Sequence, residues 1–167
     1  MKNILIAIAM LAIPMSGFCQ HESIEKFYNK YIEDEKVTDI NLNGWVLSLA
    51  SLIADEKTGE EVLNKITQLR IMIAEEKNIV SNGDLKKLMK DVRKNSFEDL
   101  ITVRDGNDRI NFMIREEGNT ITNVLVIVNG DDEFILLSLE GALNLEDLKK
   151  LQFDVEGGDV FTKLPRA

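Results

Sequence analysis

Residues 97–143 read FEDLITVRDGNDRINFMIREEGNTITNVLVIVNGDDEFILLSLEGAL, and their pattern decides the fold. Leu100 to Arg104 is an extended run that stops at Asp105-Gly106-Asn107-Asp108, residues suited to a tight turn. Arg109 to Arg115 then alternates, with Ile110, Phe112 and Ile114 on one face. Glu117-Gly118-Asn119 turns the chain again. Ile121 to Val128 is apolar at nearly every position and ends in Asn129-Gly130-Asp131-Asp132. Phe134 to Leu139 is apolar on both faces apart from Ser138. This predicts a four-stranded meander of consecutive hairpins. Strands apolar on both sides are either central and covered twice, or paired across an interface.

Working outward, Ser81 and Asp84 mark a helix start. Leu85, Leu88, Met89 and Val92 form its apolar face, and Lys86, Lys87, Lys90, Asp91, Arg93 and Lys94 form the other, a basic one. The basic face reads as a solvated surface beside acidic neighbours. Further upstream, Leu69, Ile71 and Ile73 alternate with Arg70, Met72 and Ala74, so this strand joins the sheet. Thr58 and Glu61 form a capping box for a short helix through Val62, Leu63 and Ile66. Gly44 opens a Leu- and Ala-rich helix from Trp45 to Ala54. Val37 to Leu42 alternates imperfectly, as a short strand or an extended lead-in. Ile24, Phe27, Tyr28, Tyr31 and Ile32 have the i, i+3, i+4, i+7, i+8 spacing of an amphipathic helix with an aromatic core stripe. Downstream, Asn144 and Asp147 cap a short helix carrying Leu145, Leu148 and Leu151. The expectation is a single α+β domain over residues 20–156, with an antiparallel sheet of four to five strands packed with helices and an N-terminal helical segment. Residues 157–167, with Gly157, Gly158 and Pro165, read as a flexible C-terminal tail.

The first residues, MKNILIAIAMLAIPMSGFCQ, have the layout of a secretory signal peptide, assigned to residues 1–19. Lys2 supplies the positive start, Ile4 to Ile13 the apolar run, Pro14 the break, and Gly17 and Cys19 the small residues before cleavage. The run is too short to span a bilayer, which takes about 20 residues. The address is exported, periplasmic or secreted. Lipid anchoring through Cys19 is the alternative route, and the bulky Phe18 departs from what that route uses. Cleavage after Cys19 removes the chain's single cysteine, so the domain stands on its hydrophobic core without disulfides. The net charge of −9 becomes −10 once Lys2 is lost. Such an acidic balance disfavours nucleic acid and anionic membrane surfaces as partners.

Candidate chemistry is sparse. His21 is the one histidine and sits beside the mature terminus, where neither a nucleophilic triad nor a zinc site has the residues it needs. Asp105, Asn107 and Asp108 form one acidic turn, and Asp131, Asp132 and Glu133 another. Hairpin geometry explains both, and neither has the EF-hand order. The two turns lie at the same end of a meander, so a shared acidic rim keeps a divalent-cation reading open. Glu75 with Glu76 and Glu116 with Glu117 are the carboxylate pairs available for glycoside hydrolysis, but neighbours on a strand point to opposite faces. No phosphate-binding glycine loop occurs. Met72, Met89 and Met113 read as core fillers.

Leu100–Gly106 (L-x-x-V-R-D-G), Asn129-Gly130-Asp131-Asp132-Glu133-Phe134 and Leu137-Ser138-Leu139-Glu140-Gly141 carry a resemblance. With the helices upstream, the chain resembles a secreted family of unknown function common in the Bacteroidota, family 4252. The resemblance implies an exported α+β domain, with lipoproteins among its members. It implies no activity and no catalytic residues. The function expected is therefore an exported, non-catalytic binding or structural module without cofactor or metal. Its partner is an unknown protein or envelope component, with a homodimer through the apolar strands as one form. The alternatives are a carboxylate-dependent envelope hydrolase and a divalent-cation-responsive module.

Overall fold

The computed structural model describes residues 22–44 and 61–150. The signal peptide expected over residues 1–19, His21, the helix expected over Trp45–Ala54, the expected Thr58 cap and the expected C-terminal tail lie outside the described residues. In chain order the elements are α1 (Glu22–Tyr31), β1 (Val37–Asn43), β2 (Ile66–Ala74), α2 (Asn82–Lys94), β3 (Glu98–Asp105), β4 (Asp108–Glu117), β5 (Thr120–Asn129), β6 (Phe134–Leu143) and α3 (Leu145–Lys150). Residues 61–63 are also helical.

The strands form one antiparallel sheet in the order β1-β2-β6-β5-β4-β3. The α+β class is as expected, but the sheet has six strands rather than four to five. The added strand is β1, an edge strand. Its alternation is weak because Asp39 and Asn41 occupy one face while Ile40, on the other, stays 38% exposed. The meander itself is β3 to β6. Its first two turns are two residues each, Gly106-Asn107 and Gly118-Asn119. Gly106 (φ 58°) and Gly118 (φ 66°) take the first turn position, where a side chain would be strained.

Both faces of the sheet are covered. On one, Ile24, Phe27 and Tyr28 of α1 and Leu88 and Val92 of α2 pack over Met72, Met113, Leu125, Ile127, Phe134 and Leu136. On the other, Phe112, Ile114, Val124, Val126 and Leu139 pack with Val62 and with Leu148 of α3. Neighbours at 112–114 of β4 and 124–127 of β5 thus enter opposite cores, which is why those two stretches are apolar at every position. The two-sided strands are buried within their own fold.

Local sequence sets the helix ends. Ser81 Oγ accepts from Asp84 N (3.1 Å) to cap α2. At the other end Ser96 adopts φ 63°, its N–H donates to Arg93 O, and the N–H of buried Phe97 donates to Val92 O. That is a Schellman motif, and it aims the chain from α2 into β3. In α3, Asn144 and Asp147 cap each other reciprocally (2.8 and 2.9 Å).

α1 is held to the sheet by a polar staple. Arg70 of β2 is 6% exposed. Its guanidinium donates to both Asp39 carboxylate oxygens (3.1 and 3.2 Å) and to Glu25 (2.9 Å), and it lies 4.1 Å from the Tyr28 ring. Burial works against the Arg70 charge, and the bonds to Asp39 and Glu25 together outweigh it, raising its pKa. The Tyr28 hydroxyl shares its proton between the carbonyls of Arg70 and Leu136, 3.0 Å each. Burial pushes that phenol well above its ordinary value.

Candidate functional site

α2 packs on the same face of the sheet as α1, and beside it lies the sheet margin formed by β4 and β3. The register puts Arg109 between Asn129 and Arg104, and Asn111 between Ile127 and Thr102, all on the α2 side of the sheet. Between α2 and this margin runs a groove of about 840 Å³. Lys86, Lys90, Arg93 and Lys94 form its helical wall, with Leu85 and Met89 below them. Arg109, Asn107, Asn111 and Asn129 form the sheet side, and no carboxylate lines it among the described residues.

The cations of the described residues differ in their pairing. Lys26, Lys30, Lys65, Arg70, Arg115, Lys149 and Lys150 each pair with a carboxylate, whereas Lys36, Lys77 and Lys87, outside the groove, do not. Among the groove cations only Arg93 does, meeting Asp99 at 3.0 Å. Lys86, Lys90, Lys94, Arg104 and Arg109 have no ion-pair partner among the described residues. Arg104 and Arg109 face each other directly across β3 and β4. Like charges so placed destabilise a hairpin, by about 0.2–1 kcal/mol. An acidic chain has therefore gathered unneutralised positive charge on one side. The basic face of α2 is solvated, as its sequence predicts, and it also walls a groove whose opposite side is cationic.

The amides around the groove are held in fixed orientations. Asn107 Nδ2 donates to Asp131 Oδ2 (2.7 Å), and a carboxylate only accepts, so Asn107 Oδ1 is the free end. Asn78 takes a proton from Val80 N on its Oδ1, so its Nδ2 is the donor to Gly130 O (2.8 Å) and Asn129 Oδ1 (3.0 Å). Asn129 Nδ2 is then the free donor. Asn111, 7% exposed, engages Thr102 Oγ1 with one end of its amide (3.1 Å).

The acidic turns do come together as the meander predicts. The Asn107–Asp131 bond joins them, and a Cβ on Gly130 would sit 2.6 Å from Asp108 Oδ1. They do not make a cation site: among the described residues no three acidic, His or Cys side chains converge on one point. The carboxylate pairs fare no better. Glu75 and Glu76 follow β2 at the sheet end that carries the Gly130 turn, whereas Glu116 and Glu117 close β4 at the opposite end. All four are exposed. Beside the Arg70 staple, a void of about 20 Å³ has room for one water and no more. The apolar strands offer little free surface, since Ile40 is the one exposed large hydrophobic among the described residues. No described helix is long and apolar enough to cross a membrane.

A family model described as a domain of unknown function matches residues 28–151, a span that contains every residue of the groove. No curated protein and no solved structure matches the chain.

Proposed function

The chain belongs to that family, DUF4252, and from this premise we propose that it is a non-catalytic binding module that holds an anionic ligand in the groove between α2 and the β3–β4 hairpin. One observation carries the reading: Lys86, Lys90, Lys94 and Arg109 line a single concave surface of ligand-binding size and have no carboxylate partner among the described residues, and Arg104 faces Arg109 beside it. In a chain of net charge −9, no carboxylate of the described residues lines that groove. Cations focused in a concave wall raise the local concentration of an anion and orient it. The lining is lysine, arginine and asparagine, which suits recognition more than proton transfer or nucleophilic attack. The leader-like residues 1–19 support an exported module acting in the periplasm or envelope.

Tripolyphosphate is a simple probe of the charge. At low salt it raises the melting temperature, by about 3 °C at saturating concentration, because a ligand bound only by the native state stabilises it. The shift disappears in Lys90→Ala/Arg109→Ala and shrinks as salt is added. An equal shift in that variant would remove the groove as the site.

A further inference from the structure

The ligand's chemistry can be narrowed beyond its charge. We infer that the groove takes an acidic saccharide, and this rests on the anion-binding reading above. The inference comes from the amides rather than the cations. A bare anion has only acceptors, so it satisfies Lys90, Lys94 and Arg109 and the Asn129 Nδ2 donor, but nothing at Asn107 Oδ1. Water satisfies that exposed acceptor in the free protein, and a ligand that displaces the water replaces the bond only if it brings a donor. A hydroxyl both donates and accepts, so a polyol carrying acid groups matches a wall that mixes fixed cations, a fixed acceptor and a fixed donor. The apolar strip of Leu85 and Met89 suits the C–H face of a sugar ring.

Other anionic polymers fit less well. Single-stranded nucleic acid uses aromatic side chains as stacking platforms, and no aromatic residue among the described residues lines this groove. An acidic peptide anchors through apolar or aromatic side chains in a pocket, and the groove's apolar lining among the described residues is Leu85 and Met89. The acid group on the sugar is either carboxylate or phosphate; both pair with Lys and Arg.

The test compares ligands of equal charge by calorimetric titration of the full mature protein. One is an oligogalacturonate, which has carboxylates and hydroxyls. The second is a phosphorylated mannan oligosaccharide. The third is oligoglutamate, which has carboxylates without hydroxyls. The saccharides are expected to bind about tenfold tighter than oligoglutamate, because a site built to bond a hydroxyl discriminates against a ligand lacking it. Whichever saccharide binds tighter names the acid group. Asn107→Ala, in an exposed turn, is expected to abolish most of that preference by lowering saccharide affinity more than oligoglutamate affinity. Asn129→Asp, which keeps the acceptor for Asn78 but replaces the free donor, is expected to reduce the preference as well. Equal affinity for saccharide and oligoglutamate would overturn the inference and leave the anion site standing. An undiminished preference in both variants would overturn it too. Failure of every anion to bind would remove the groove reading itself.

Discussion

Arg104 and Arg109 stand opposite each other on β3 and β4 without a carboxylate between them. Replacing Arg104 by Gln is expected to stabilise the fold by about 0.5 kcal/mol in urea denaturation, since it relieves a like-charge cross-strand pair. The same change is expected to weaken anion binding. A variant that both loses stability and keeps affinity would show that the pair is neither strained nor used. Asp84 gives the pH dependence at this scale. Bonds from Lys30 (2.6 Å), Ser81 (2.5 Å) and Tyr31 (2.7 Å) hold its carboxyl well below the usual carboxylate range. A depressed folded-state pKa contributes stability that is present above the unfolded value, about 4, and lost as pH falls through the folded one. The melting temperature of the wild type should therefore drop on acidification below about pH 4 more steeply than that of Asp84→Asn. Parallel acid limbs for the two proteins would contradict the assignment. The Arg104–Arg109 pairing was legible in the chain, because a two-residue Gly106-Asn107 turn fixes Arg104 opposite Arg109. The Asp84 contacts were not, because Lys30 and Tyr31 arrive from another helix.

Elements are joined here by polar staples as well as by apolar cores. Arg70 ties β2 to α1 through Glu25 and to β1 through Asp39. Arg70→Ala should cost about 3 kcal/mol, because it removes the buried partner of two carboxylates and opens a gap beneath Tyr28. Chemical denaturation measures that loss directly, and a change below about 1 kcal/mol would mean the staple is ornamental to stability. The hairpins could be read from sequence because their instructions are local: glycine at a turn position and alternation on either side. The α2 cap and the reciprocal Asn144–Asp147 box were readable for the same reason. β1 was ambiguous because its inward polar residues, Asp39 above all, are explained by a partner on β2 that is distant in sequence. Arg70 itself sits in an alternating strand as an apparently outward residue, and only the placement of α1 makes it buried.

At the scale of the whole molecule, the fold sorts charge. The carboxylates of the two hairpin turns lie at one end of the sheet, joined by the Asn107–Asp131 bond. A group of unpaired cations lies along α2 and the β3–β4 margin. Sequence showed the basic face of α2 but not the groove, because Arg109 and Asn129 join Lys90 only when α2 packs on the sheet. Composition disfavoured nucleic acid and anionic membrane surfaces, but a net charge averages over surfaces that the fold keeps apart and so does not describe a local basic face. The most direct test of the account is amide chemical-shift mapping of residues 20–167 titrated with oligogalacturonate at low salt. The account expects saturable shifts concentrated on residues 86–94 and 107–111 and at Asn129, abolished in Lys90→Ala/Arg109→Ala. Shifts centred elsewhere on the molecule, or unchanged in that variant, would contradict it.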